Sequence, residues 1–378
     1  MLDFEAIRPY EDPEVAGVVA RLVEDAELDR AVAVYLMPGL ARVWPRLASV
    51  LVRAYLRRKT KGLVTVNDVQ LFLGKYMARL IEETVVELTV DGLDELSKGK
   101  PYLFMSNHRD IVMDSGILNY VIHRAGHQTS RIAVGDNLFA RPFAADLMRL
   151  NKSFVVERKV SGTRAVYAAL SRTSHYIRQS LEEGESVWIA QREGRSKDGF
   201  DRTDPALLKM LGLAYRKEAG SFGDLVTRIR IVPVAVSYEL DPCDLRKAHE
   251  LYLTEREGSY IKPPDEDFQS IVEGMMGFKG RVHLHFGSPV TGYFETAEAL
   301  ALEIDRAIVA GLKIFPTQAQ AAARLGQASC HVQLAELPAV TAAFEQRLAG
   351  CPDAEKPYLL AAYANVLRNR RELSLPSA

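Results

Sequence analysis

Residues 107–114 read NHRDIVMD and follow the apolar run YLFMS. His108 offers an imidazole that can take a proton near neutral pH. Such a base activates a hydroxyl when a carboxylate fixes its tautomer and stabilises the imidazolium. Two carboxylates are close in sequence. Asp110 precedes a helical pattern over 111–124 and suits an N-cap. Asp114 lies on the stripe with Ile111, Leu118 and Val121, which should face the core. A buried carboxylate needs a partner, and His108 is the obvious one. Asp114 is therefore the expected partner, with Asp110 as the alternative. A capped helix start beside an incidental histidine would also account for these residues.

A second cluster, Glu193-Gly194-Arg195-Ser196-Lys197, follows the strand-like SVWIA. A glycine among cations at a strand end lets backbone N–H groups and guanidinium or ammonium groups close on an anion. Arg192, Arg195, Lys197 and Arg202 supply charge suited to a phosphate monoester. The plainer reading is a solvated basic loop turning at Asp198-Gly199. Arg158, after SFVVE, is one more cation at a strand end. In IVPVAVSYE, Pro233 disfavours a central strand position and is expected at a bend or bulge. His283 and His285 alternate in RVHLHFG and share one strand face without an evident third metal ligand. The chain shows no GxSxG elbow, P-loop or HExxH, so no metal site is expected.

These clusters need a scaffold that presents strand ends together. Apolar residues at helical spacing fill most of residues 1–85. Strand-like and helical stretches alternate from 86 to 310, and helical patterns dominate to Leu373. The expected fold is α/β: a central mixed sheet flanked by helices, with helical N- and C-terminal extensions. The expected division is 1–85 helical, 86–310 α/β and 311–378 helical. In open α/β sheets, sites collect at the carboxyl ends of strands, so the polar clusters could converge on one cleft.

Composition narrows the function classes. The chain has 378 residues, 48% hydrophobic, with a net charge of −1, so bulk electrostatics do not favour nucleic acid. Cys243, Cys330 and Cys351 are scattered, as expected in a reducing compartment. The start MLDFEAIRPYEDPE lacks the pattern of a signal peptide, and no run is long enough to span a bilayer. A cytoplasmic location is expected. Charge is nevertheless uneven. Residues 1–29 hold nine acidic and two basic side chains, whereas Arg30–Gly62 holds eight basic and no acidic ones. Interleaved apolar residues give LARVWPRLASVLVRAYLRRKTKG the look of a basic amphipathic helix. It could lie on an anionic membrane face or pack on its own domain with a solvated basic face.

In this order, four blocks resemble the glycerolipid acyltransferase family, which includes glycerol-3-phosphate, lysophosphatidate and dihydroxyacetone-phosphate acyltransferases. NHRDIVMD resembles the family's histidine and aspartate block, with five intervening residues where the family has four. SFVVER resembles the second block with Arg158, although Lys152 replaces its usual leading glycine. REGRSK resembles the third with Glu193, Gly194, Arg195 and Ser196, minus one small residue. IVPVAVSYE resembles the fourth with Pro233 and Tyr238. The extra residue in the first block predicts a bulge or wide turn between Arg109 and Asp114 that restores the histidine–carboxylate contact.

The resemblance implies an acyltransferase. His108, oriented by Asp114, would deprotonate a hydroxyl of glycerol 3-phosphate or 1-acylglycerol 3-phosphate. That oxygen would attack an acyl thioester of coenzyme A or acyl carrier protein, used as co-substrate with no cofactor. Arg158, Arg195 and Lys197 would hold the acceptor phosphate, with Glu193 and Gly194 shaping that site. A non-catalytic lipid- or acyl-carrier-binding protein on the same fold, and a thioesterase-like hydrolase, are the competing readings.

Overall fold

The computed structural model describes residues 3–327, 332 and 334–375. Cys330 and His331 lie outside the described residues. The helices of the first third are α1 (Asp12–Val23), α2 (Ala26–Leu36), α3 (Pro38–Val43), α4 (Pro45–Lys59) and α5 (Val66–Thr84). Strand β1 (Val85–Asp91), β2 (Leu103–Ser106), α6 (Met113–Arg124), β3 (Arg131–Gly135), α7 (Pro142–Leu150) and β4 (Ser153–Val156) follow. Next come α8 (Thr163–Glu182), β5 (Val187–Ala190), α9 (Pro205–Leu211), α10 (Phe222–Ile229) and β6 (Ile231–Tyr238). The chain continues through α11 (Asp244–Glu257), α12 (Glu266–Met276), β7 (Gly280–Phe286), α13 (Ala297–Gly311), α14 (Pro316–Arg324), α15 (Pro338–Gly350) and α16 (Lys356–Glu372). This is the α/β fold expected, with helical N- and C-terminal regions.

Two compact units partition the chain. One comprises the residues up to Tyr76 together with Arg131–Thr173; the other comprises Met77–Ser130 and the chain from Ser174 onward. The three-region division read from sequence remains a proposal about folding units. In the first unit, β3 and β4 pair in parallel. Asp146 of α7 accepts hydrogen bonds from Tyr10 and Arg21, tying α1 and its leading turn to α7. The basic stretch is not one helix. Pro38 and Pro45 each open a new helix, because proline lacks the N–H that a helix interior needs but fits its first turn.

The second unit holds a mixed sheet in the order β1-β7-β6-β2-β5. β2 runs parallel to both β5 and β6, β6 is antiparallel to β7, and β1 is parallel to β7. β2 and β6 are buried along their whole length, as strands covered on both faces must be. Pro233 corrects the expectation of a bend, since it lies inside β6 opposite Met105. Its carbonyl accepts the Gly287 N–H at 2.8 Å. A residue's N–H and C=O point to the same side of a strand, so the donor missing from Pro233 faces the point where β7 ends. Little pairing is lost there.

Candidate active site

The site is built at the carboxyl end of β2. Asn107 continues the pairing past the last strand residue with its side chain: Oδ1 accepts the Val236 N–H at 2.8 Å and Nδ2 donates to the Val236 carbonyl at 2.9 Å. Ser106 is fixed between the Trp188 indole N–H at 3.0 Å and the Asn107 carbonyl at 2.7 Å. These bonds set the direction in which the chain leaves the sheet. His108 follows, its ring edge-on to Trp188 with centroids 5.7 Å apart.

His108 Nδ1 lies 2.8 Å from Asp114 Oδ2. The same oxygen accepts the backbone N–H groups of Arg109 at 2.6 Å and Asp110 at 2.9 Å. The other carboxylate oxygen accepts the Tyr238 hydroxyl at 2.9 Å. Asp114 is fully buried, and four donors compensate its lost hydration. The Tyr238 phenol is driven well above its ordinary range, first by burial and then by the Asp114 charge, so it stays protonated and donates. With Nδ1–H given to the carboxylate, Nε2 of His108 carries the lone pair. The side chain is 14% exposed, so a reactant can reach it.

Asp110 does not take the partner role. Its Oδ1 accepts the N–H groups of Val112 at 2.9 Å and Met113 at 2.8 Å, which fixes the turn leading into α6; the N-cap position itself is Val112, not Asp110 as expected, because the helix starts two residues later. Burial first, then the Asp114 charge, raises its carboxyl pKa. Gly274 packs so close that a Cβ there would come within 1.9 Å of Oδ2. The extra residue of the first block is absorbed in a wide turn ahead of the helix. α6 starts at Met113, two residues later than the sequence pattern suggests.

The cationic cluster lies on the loop after β5. The Ser196 N–H donates to the His108 carbonyl at 2.7 Å, so this loop and the histidine are joined directly. Arg109 reaches the loop from the other side and donates to Asp201 at 2.5 Å. Lys247 donates to the Arg109 carbonyl at 2.7 Å and pairs with Asp241. Lys197 pairs with Glu250. Arg195 keeps one buried guanidinium nitrogen, Nη1, without a hydrogen-bond partner. Glu193 and Gly194 are exposed, with Gly194 at φ +75°. Arg158 belongs to the first unit, where its N–H donates to Asp136 at 3.1 Å.

The residues that sequence reasoning missed are those that act through others. Asn107, Arg109 and Trp188 lie inside or beside quoted blocks, but nothing in the string marks their partners. Lys247 and Asp201 have no local signal at all. Tyr238 was visible only as part of a block, not as a donor to Asp114. His283 and His285 are bound across to Thr89 and Asp91 of β1. Among the described residues, no three His, Cys, Asp or Glu side chains gather as a metal site.

Residues 87–237 match the family described as Acyltransferase. Among solved structures, the 1-acyl-sn-glycerophosphate (LPA) acyltransferase PlsC from Thermotoga maritima is similar at 17% identity and TM-score 0.38. The alignment covers 75% of this chain and 95% of that one. Signal recognition particle receptor FtsY from Elizabethkingia anophelis aligns at 13% identity and TM-score 0.22, covering 76% and 87% of the two chains. Superpositions this loose say nothing about activity. A comparison with curated protein sequences returns no match.

Proposed function

We propose that the protein moves a fatty acyl group from a coenzyme A or acyl-carrier-protein thioester to a hydroxyl of glycerol 3-phosphate or 1-acylglycerol 3-phosphate. The observation that carries this reading is the His108–Asp114 pair, held by four donors to the carboxylate at the end of a buried strand. His108 Nε2 takes the hydroxyl proton as the acceptor oxygen attacks the thioester carbonyl. The C–S bond then breaks, and the thiolate recovers the proton from the imidazolium. A base so placed contributes about 10²- to 10⁴-fold. Arg195, with its unpartnered buried nitrogen, is the cation best placed to receive the acceptor phosphate; Lys197 first has to leave Glu250. The assignment of Arg158 to phosphate rests on the resemblance alone.

Thiol release from palmitoyl-coenzyme A and from a palmitoyl carrier protein, with each acceptor and with none, tests this directly. Acceptor-dependent release lost in His108→Ala and Asp114→Asn is the expected result. Release that ignores the acceptor would replace transfer by hydrolysis. Binding of thioester without any release would leave a non-catalytic carrier-binding protein.

The product would be a lipid, and the first unit supports work at a membrane surface. No helix among the described residues is long and apolar enough to cross a bilayer. The inner face of α4, Ala48 and Val52, packs with Ala33, Leu40 and Leu56. Its outer face carries Leu47, Val50 and Leu51, and Val43 and Trp44 precede it, all exposed. A second apolar face on a basic helix fits the headgroup layer of an anionic bilayer. Arg53 and Arg57 are engaged by Asp29 and Glu24. Arg42, Arg46, Arg58 and Lys61 have no ion-pair partner among the described residues and remain for lipid phosphates.

A further inference from the structure

α16 lies far outside the segment that matches the acyltransferase family, yet it grips the loop beside His108. Asn365 donates to the Asp198 carbonyl at 2.8 Å, and Asn369, itself buried, donates to the Asp201 carbonyl at 3.3 Å. Between them Gly199 sits at φ +81°, so close to the helix that a Cβ would come within 2.1 Å of the Ala362 carbonyl oxygen. Only glycine meets both demands. Phe200 is flanked by Arg202 and by Arg368 of α16, at 4.9 and 5.5 Å from its ring centre. Arg202 also pairs with Glu372.

The loop passes this anchorage on. The Ser196 N–H holds the His108 carbonyl, and Asp201 holds Arg109. Beside these attachments lies a cavity of about 40 Å³, lined by Arg109, Ser196, Tyr238 and Lys247 from the site and by Tyr363 and Val366 from α16. One face of α16 therefore fixes the backbone on which Arg195, Ser196 and Lys197 stand, one bond away from the histidine.

We propose that α16 is a positioning element of the active site, acting through Asn365 and Asn369 on the 196–202 loop to hold the acceptor-binding cations in register with His108. The acceptor role of those cations rests on the acyltransferase reading; the anchorage does not. The first readout is therefore independent of turnover: amide hydrogen exchange at Ser196, whose N–H is bonded to His108. In Asn365→Ala/Asn369→Ala, exchange at Ser196 is expected to accelerate at least tenfold while the amides of β2 and β6 keep their protection. Gly199→Ala, which pushes the loop off the helix from the other side, should produce the same local change. Combining all three should add little, because one contact cannot be lost twice. The kinetic readout is a split. KM for the acceptor should rise about tenfold, while KM for the thioester stays within about twofold. Unchanged Ser196 exchange in both variants would overturn the proposal, as would acceleration spread evenly over the sheet. If the wild-type protein transfers no acyl group, the exchange result still decides the role of α16, and only the functional reading falls.

Discussion

The N-terminal and C-terminal helical regions both look like amphipathic helices rich in arginine, yet they use their faces in opposite ways. α4 packs one apolar face inward and leaves another, around Leu47 and Leu51, in solvent. α16 buries Leu359, Tyr363, Val366 and Leu367 and turns Asn365 and Asn369 onto backbone carbonyls. Arginines follow the same division. On α4, Arg53 balances the buried Asp29 and Arg57 meets the exposed Glu24, while Arg58 has no ion-pair partner among the described residues; near α16, Arg347 pairs with the buried Asp244, which Tyr363 also holds. Helical pattern alone does not separate a helix that faces outward from one that completes a site. What the second face meets does.

The comparison breaks if either region carries the chemistry, so the largest expected effect should come from neither. His108→Ala should cut the acyl-transfer rate about 10²- to 10⁴-fold while vesicle binding and α16 contacts persist. A comparable loss on neutralising α4 would show that α4 is part of the catalytic apparatus.

The two classes of arginine on α4 can be separated next. Arg53→Ala strands the fully buried Asp29 and should clearly lower the denaturant midpoint of unfolding. Arg58→Ala should cost under about 0.5 kcal/mol. Equal costs would erase the distinction between structural and outward-facing charge.

A smaller effect tests the outward face itself. Replacing Trp44, Leu47 and Leu51 by serine should weaken binding to vesicles containing phosphatidylglycerol at least tenfold, given about 1.5–3 kcal/mol for each large apolar side chain fully buried. Turnover of a water-soluble short-chain thioester should not change. Binding that survives would move the membrane contact elsewhere.

The smallest effect concerns pH and the C-terminal side. Asp305 of α13 accepts the Thr203 N–H at 2.6 Å, just beyond the loop that α16 grips. Burial raises its carboxyl pKa to about 6. The folded protein thus holds this proton more tightly than the unfolded chain does. Its contribution to stability is greatest below the unfolded value near 3.8, falls as pH rises to about 6, and is level above that. Asp305→Asn keeps an acceptor for Thr203 and removes the titration. It should flatten that slope and raise stability at pH 7 by about 1–2 kcal/mol. A slope unchanged in the variant would assign the titration to another carboxylate.

Much of the site was legible because its chemistry is local. NHRDIVMD carries base and carboxylate within eight residues, and REGRSK shows cations at a strand end. The wide turn between Arg109 and Asp114 was expected from the resemblance, whose first block has one residue fewer between histidine and aspartate, while the cost of an unpartnered buried carboxylate pointed to the His108–Asp114 contact. Other features were hidden for physical reasons. Pro233 misled because the cost of a missing N–H depends on whether a strand lies on that side. Tyr238 reads as one more apolar strand residue until its hydroxyl meets Asp114. The loop anchors on α16 lie 167 and 168 residues from the carbonyls they bind, beyond the reach of any spacing rule.

By itself, then, the sequence determined the elements and the reactive groups: alternating strands and helices, a histidine with a candidate carboxylate, and a cationic strand end. Those follow from periodicity and from the chemistry of neighbouring residues. Tertiary structure alone decided which aspartate holds the histidine, which arginines are spent on buried acids, and which helix steadies the acceptor loop. These are questions of which buried polar groups are satisfied by which, and a hydrogen bond is settled by atoms within about 3 Å in space, however far apart they lie along the chain.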